Sequence, residues 1–271
     1  MANSGNSTSP TRVLITGASR KERVGHRLAV AFAQRKCDLI LTHRAGGERG
    51  CAEIAAECRE HGAKVQLLPL ELNSPTQAAA ACKAFVQSSG NGRLDVLVHN
   101  ASWYEPSEFG HIDSDTLGHA MAVNAFSPLL ISQALAPLMR TEAIIDPGSE
   151  ALITGCVLTL GDIHARGELG QPRKGHAAYG ISKAALLEVT MILARELAPH
   201  VRCNMLAFGV VAFPDAGAEA DAQMQQRYLS RVPLGRAGTP ADAAAAGVYL
   251  ALDAQYTTGT VLTVDGGRSI T

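Results

Sequence analysis

Short apolar runs alternate with longer stretches in which apolar residues recur every three or four positions. The short runs are Arg12–Thr16, Asp38–Thr42, Lys64–Leu70, Leu94–Val98, Ala151–Thr159, Val201–Ala207 and Thr260–Val264, and each reads as a strand covered on both faces. Helical patterns fill the intervals at Val24–Arg35, Glu48–His61, Pro75–Ser88, Asp115–Met139, His176–Ala198 and Pro240–Leu252. Strand followed by helix, repeated, builds a parallel sheet, and right-handed crossovers distribute the helices over both of its faces. The expectation is an α/β fold, a doubly wound parallel seven-stranded sheet in a single domain over residues 11–271.

Composition narrows the field further. With 271 residues, 46% apolar content, 24 basic against 25 acidic side chains and a formal charge of -1, the chain is neither a disordered segment nor a polybasic nucleic-acid binder. The start, Met1 to Pro10, is small and polar and reads as a frayed tail rather than a targeting signal. No uninterrupted apolar run reaches the roughly 18–20 residues of a membrane helix, so a cytoplasmic protein with neither a membrane nor a nucleic-acid partner is expected. The six cysteines lack C-x-x-C spacing and the histidines lack ligand spacing, which suggests buried thiols and no metal. Gly209 to Arg236 has little periodicity and reads as a loop with short helices over a site.

Open α/β sheets bind ligands beyond the carboxyl ends of their strands, which directs attention to the first turn, from Thr16 to Gly25. There Gly17 permits a tight turn, Gly25 lets the helix pack near the strand, and the helix N-terminus offers free N–H groups to a pyrophosphate. The second strand ends in Thr42-His43-Arg44, with no carboxylate to accept from a ribose 2′-hydroxyl. Arg44, together with Arg20, Lys21 and Arg23, instead supplies cations suited to a 2′-phosphate, and NADP(H) is favoured over NAD.

In the fifth helical pattern Tyr179 and Lys183 stand four residues apart, so a phenol and an ammonium share one helix face. A cation there is expected to lower the phenol's pKa from its reference near 10 and make Tyr179 a usable proton donor.

Taken with the first turn, His99-Asn100-Ala101-Ser102 after the fourth strand, Asn124 in Val123-Asn124-Ala125, and Asp265-Gly266-Gly267, the sequence resembles the short-chain dehydrogenase/reductase family from Arg12 to Gly267. The resemblance implies a Rossmann fold and hydride transfer from a nicotinamide. It also implies Tyr179 as proton donor, Lys183 holding the ribose, and Asn124 anchoring a water on a proton relay. Cofactor contacts are implied for Gly17, Ser19, Arg20, Val24 and Gly25, for His43 and Arg44, for Glu71 and Leu72 beside the adenine, for Asn100, Ala101 and Ser102, and for Gly209. A homotetramer joined through the fourth and fifth helices is implied as well.

The departures from the family pattern are specific. Where the family usually places a serine after the fifth strand, Leu158-Thr159-Leu160-Gly161-Asp162 brings a carboxyl, Asp162. About four extra residues separate it from Tyr179, which points to an inserted bulge in Gly170–Gly175, and about two extra residues sit between Gly17 and Gly25. Ala207-Phe208-Gly209 replaces a common proline-glycine pair. An aspartate in this place, with Trp103 and Tyr104, resembles the pteridine reductase branch. That likeness implies an NADPH-dependent reductase of a pterin-like C=N substrate, with Tyr104 or its neighbour Trp103 stacked on the ring and Asp162, Arg20, Ser102 and Tyr179 at its polar edge. Two alternatives stand beside it: a carbonyl or 3-oxoacyl reductase or alcohol dehydrogenase of the same family, and a non-catalytic NADP-binding redox sensor.

Overall fold

The computed structural model describes residues 9–139, 155–165, 173–213 and 220–271. Seven parallel strands form one sheet: β1 (Arg12–Ile15), β2 (Asp38–His43), β3 (Val65–Pro69), β4 (Val96–His99), β5 (Gly155–Asp162), β6 (Val201–Phe208) and β7 (Val261–Val264), in the order β3-β2-β1-β4-β5-β6-β7. The expected doubly wound sheet is therefore observed. Its order reverses between β1 and β4, which pair through Val13 with Val96 and Ile15 with Val98, and that reversal opens a crevice at their carboxyl ends.

Side-chain alternation divides the core in two. Val13, Ile15, Leu39, Leu41, Val96 and Val98 face one way and pack on α1 (Val24–Gln34), α2 (Glu48–Glu60) and α8 (Pro240–Val248). Leu14, Ile40, Leu97 and Val157 face the other way, onto α3 (Pro75–Ser88), α5 (Ser127–Leu135) and α6 (Ala177–Glu196). Because both faces are covered, the strands are apolar nearly throughout rather than alternating with polar residues. All six cysteines are free and buried, as expected, and burial pushes the Cys58 thiol up to about 12.

Most element ends fall within two residues of the sequence reading, and the differences have local causes. The first residues of the expected fifth strand, 151–154, lie outside the described residues. At its other end the strand runs past Thr159 because Leu160, Gly161 and Asp162 continue the ladder opposite Leu206, Ala207 and Phe208. The long helix expected over Asp115–Met139 is α4 (Ser114–Met121), a π turn at Ala122–Phe126 and then α5, a widening that apolar spacing does not register. A second π turn, Tyr249–Asp253, ends α8. Its carbonyls at Leu250 and Ala251 accept from the buried Arg202 guanidinium, each at 2.8 Å. The Gly209–Arg236 stretch does contain a short helix, α7 (Ala222–Leu229), whose first turn is capped by the Asp221 carboxylate on the Met224 N–H at 2.8 Å.

By length and apolar content the spans Ser114–Leu138 and Ala177–Glu196 would each suffice to cross a membrane. In the fold they pack side by side on the sheet, which accounts for much of that apolar surface.

The first turn is seated against α2 at Gly50, where an added Cβ would overlap the backbone carbonyl oxygen of Ser19. A helix-interior glycine ordinarily gains about 1 kcal/mol on replacement by alanine. Here overpacking against backbone opposes that gain with about 1–3 kcal/mol. Gly50→Ala is therefore expected to lower the urea midpoint with an unchanged m-value; an unchanged or higher midpoint would show that the turn yields freely.

Candidate active site

At the crevice, the exits of β1 and β4 are joined by side chains. The Thr16 hydroxyl accepts the N–H groups of Asn100 and Ala101, both at 3.1 Å, while the Asn100 amide donates to the carbonyls of Thr16 at 2.8 Å and Gly17 at 3.2 Å. Gly17 lies at φ 70°, and a Cβ there would stand 2.8 Å from that of Ala101. The same closeness recurs at Gly25, where a Cβ would be 2.5 Å from the Asn100 amide nitrogen. Bare backbone thus lines the floor of a cleft of about 540 Å³, within the size range of small-molecule and cofactor sites.

Most of the expected cofactor residues share this cleft. Ser19, Arg20, Val24, Arg44, Glu71, Leu72 and Ser102 line it with the glycines, Asn100 and Ala101, and it reaches Tyr179 and Lys183 at its inner end. Arg20, Arg23 and Arg44 have no ion-pair partner among the described residues, so three cations face the opening. The Glu71 carboxylate accepts the Ala45 N–H at 2.8 Å and fixes the turn behind Arg44. Two expected residues lie elsewhere. His43 is buried, its Nδ1 3.2 Å from the Arg44 carbonyl, and Thr42 takes its place on the wall, accepting the Gly17 N–H at 3.1 Å. Gly209 belongs to a neighbouring pocket. A dinucleotide fits these features: a side-chain-free floor for the pyrophosphate, cations at the mouth, and hydroxyl and ammonium groups at the closed end.

At that end the Tyr179 hydroxyl donates to the Asp162 Oδ2 at 2.9 Å. One helical turn on, the Lys183 ammonium donates to the Leu160 carbonyl at 2.7 Å and lies 5.8 Å from the Tyr179 ring centroid. The extension of β5 therefore supplies both partners, and the likeness-based placement of Asp162 beside Tyr179 is what the geometry shows. The expected effect of Lys183 on the tyrosine is corrected. Burial, with the Asp162 carboxylate after it, pushes the Tyr179 phenol well above its ordinary value, and burial brings the Lys183 amine down to about 8. Desolvation and Asp162 outweigh the opposing Arg173 guanidinium.

Asn124 lies in the π turn at Ala122–Phe126. Its side chain is buried in the π turn, where Oδ1 accepts the Trp103 N–H at 2.7 Å and Nδ2 donates to the Trp103 carbonyl at 2.9 Å and to the Ser182 Oγ at 2.8 Å. Ser182 donates in turn to the Tyr179 carbonyl at 2.8 Å. The pair clamps the segment after β4 onto α6, and Ser182 was not singled out by sequence reasoning because its role depends on the extra residue in the π turn.

Trp103 lines the cleft with its ring edge-on to His119, 5.8 Å between centroids. Tyr104 stands between the cleft and the second pocket and contacts Tyr179 edge-to-face at 4.7 Å. His176 stacks on Tyr104 at 4.8 Å, and the Arg173 guanidinium lies 5.6 Å from the same ring. The second pocket, about 240 Å³, has Asp162 and Gly209 at its base and Phe213, Met224 and Tyr228 on its wall. Tyr228 accepts the Val210 N–H at 3.0 Å, which ties α7 to the exit of β6. No sequence pattern identifies Tyr228, since it lies in the weakly periodic stretch. Of the expected bulge at Gly170–Gly175, residues 170–172 lie outside the described residues.

Comparison with known proteins agrees with this arrangement. A family model described as enoyl-(acyl carrier protein) reductase matches residues 17–269. The 3-oxoacyl-acyl-carrier-protein reductase of rhamnolipid biosynthesis in Pseudomonas aeruginosa is 31% identical over 261 residues, spanning 94% of either chain. A cyclohexanol dehydrogenase from Rhodococcus is 29% identical over 275 residues, again across 94% of both. Among solved structures, a double mutant of a Serratia marcescens short-chain dehydrogenase/reductase superposes with a TM-score of 0.79 at 27% identity, covering 96% of this chain and 98% of that one. With its sheet order, its cleft and these relatives, the chain belongs to the short-chain dehydrogenase/reductase family of nicotinamide-dependent oxidoreductases.

Proposed function

We propose that the protein is an NADPH-dependent reductase that interconverts a carbonyl and an alcohol. The observation that carries this reading is the convergence of the Tyr179 hydroxyl and the Lys183 ammonium on the closed end of a dinucleotide-sized cleft. The similar proteins named above, a 3-oxoacyl reductase and a cyclohexanol dehydrogenase, support carbonyl chemistry. Gly17, Gly25 and the α1 N-terminus would hold the pyrophosphate, Lys183 the ribose near the closed end, and Arg20, Arg23 and Arg44 a 2′-phosphate. When bound, the nicotinamide supplies the hydride.

The residues of the chain manage the proton. Tyr179, with its pKa raised, keeps its proton at neutral pH and delivers it to the substrate oxygen once that oxygen displaces Asp162 as its acceptor. Lys183 places a positive charge beneath the ring where phenolate forms. Tyr104, Phe213 and Tyr228 exclude water from the substrate side.

One observation favours a second reading, reduction of a pterin-like C=N bond: the carboxyl of Asp162 in place of a hydroxyl can relay a proton to a ring nitrogen. The Tyr104 ring weighs against it, since His176 already stacks there. We also propose self-association through α4 to α6, where Phe126, Ile181 and Ile192 are exposed on the helices the family resemblance implicates.

Tyr179→Phe is expected to cut turnover about 100-fold or more with any true substrate. NADPH oxidation with acetoacetyl thioesters and simple ketones, set beside dihydrobiopterin and dihydrofolate, identifies the substrate class; turnover confined to the pterins would replace the carbonyl reading by the second one.

The kcat/KM for the cofactor reports the free enzyme, and burial favours the neutral form of Lys183. The ammonium is present below, and lost above, about 8. A pH profile should therefore fall tenfold per unit on the alkaline side of that value, and a flat profile to pH 10 would remove Lys183 from cofactor binding.

Arg44→Glu should reduce the ratio of kcat/KM for NADPH to that for NADH by about tenfold or more, the scale of a charge-assisted contact. An unaltered ratio would exclude Arg44 from the 2′-phosphate site.

A further inference from the structure

The two additional residues in the first turn have a dedicated support. Between Gly17 and Gly25 the chain runs Arg20-Lys21-Glu22-Arg23, and Arg20 and Arg23 of this group line the cleft. Glu22 between them adopts φ 55°, a left-handed conformation that a residue with a Cβ resists. Exposed ion pairs in the turn, Lys21 with Glu53 at 3.5 Å and Arg27 with Glu22 at 2.8 Å, hold it only weakly against water.

A stronger restraint comes from beneath. His26, on the first turn of α1, is 1% exposed. Its Nδ1 accepts the backbone N–H of Glu22 at 3.1 Å, and its Nε2 lies 2.8 Å from the Glu57 carboxylate on α2. An Nδ1 that accepts an N–H carries no proton, so the ring proton is on Nε2 and is donated to Glu57. The imidazole therefore connects α2 to the backbone amide of Glu22, which sits between Arg20 and Arg23 in the turn.

We propose that His26 is a positioning residue for the dinucleotide: through its Nδ1 it holds the extended first turn in the conformation that presents Arg20 and Arg23 to the cofactor phosphates. This rests on the cofactor reading of the cleft.

Binding of NADPH and NADH to the full-length enzyme, followed by quenching of Trp103 fluorescence or by calorimetry, tests it alongside turnover. In His26→Leu the Glu22 N–H loses its buried acceptor, and the Kd for NADPH should rise about tenfold, the scale of one such bond, while kcat at saturating NADPH stays within about twofold. His26→Asn, whose Oδ1 can replace Nδ1, should bind within about threefold of wild type. His26→Gln, whose amide reaches towards Glu57 instead, should bind as weakly as the leucine variant, and this pair decides the matter if His26→Leu does not fold. Adding Glu22→Gly, which removes the left-handed penalty, should restore affinity to His26→Leu or to His26→Gln. Unchanged Kd in His26→Leu, equal loss in the Asn and Gln variants, or failure of Glu22→Gly to restore binding would each overturn the proposal in favour of simple packing. Wild-type enzyme that binds neither dinucleotide would instead overturn the cofactor reading itself, and the inference with it.

Discussion

A single hydroxyl, that of Thr16, holds the functional end of the sheet together. By taking the N–H groups of both Asn100 and Ala101, it joins the exits of two strands that are adjacent in space but far apart in sequence. Parallel strands that diverge at a reversal of order would otherwise leave their last amides to water. With those amides engaged, Gly17 approaches Ala101 to a distance that tolerates no side chain, and the gap between the β1 and β4 exits becomes a smooth trough of backbone. The remaining parts of the site are arranged around this trough: the arginines at its mouth, the α1 N-terminus along its side, and Tyr179 with Lys183 at its closed end.

Placing titratable groups at that end opposes the fold. A buried lysine whose pKa falls from 10.5 to about 8 carries a net penalty of roughly 3 kcal/mol when charged, with burial as its cause and Asp162 opposing it. One carbonyl, Leu160, accepts from it at close range, and the Asp162 carboxylate favours its charge from further off. The same carboxylate raises the tyrosine it accepts from. Asp162 therefore acts on the two groups in a consistent direction: it keeps a proton on both. A serine in this place would exert no such field. In the reductase proposed above, Tyr179 would be a loaded acid whose release requires a substrate atom to replace Asp162 as acceptor, which would couple proton delivery to occupancy of the pocket.

The sheet was legible in the sequence because each strand is buried on both faces, so that apolar runs such as Val96-Leu97-Val98 have no competing reading once glycines and helical patterns bound them. Tyr179 and Lys183 were legible for a related reason: their spacing on a helix fixes their relative placement before any tertiary contact is known. The rest divides between regular alternation that every strand carries and features set by irregular geometry or by packing. His43 follows Thr42 and precedes Arg44, yet strand alternation turns its side chain away from the cleft while Thr42 faces it. The contacts of Asn124 with Trp103 and Ser182 lie in the π turn, which apolar spacing does not register. The direction of the Tyr179 pKa shift was misread because desolvation is a property of the packed site, and no local pattern reports it.

The second pocket was the least legible part, and its construction explains why. Its wall comes from α7, a helix of eight residues in a stretch without strong periodicity, and from Tyr104, whose aromatic character is visible in sequence but whose orientation is not. A ring at this position can offer its face to a flat substrate or be covered by its neighbours. Here His176, just before α6, takes up the stacking position, while the edge of Tyr104 meets Tyr179. Stacked and edge-to-face contacts each contribute on the order of 1 kcal/mol, so a flat substrate would have to displace one arrangement to gain an equivalent one. A compact carbonyl, needing only the hydroxyl of Tyr179, leaves that aromatic cluster undisturbed.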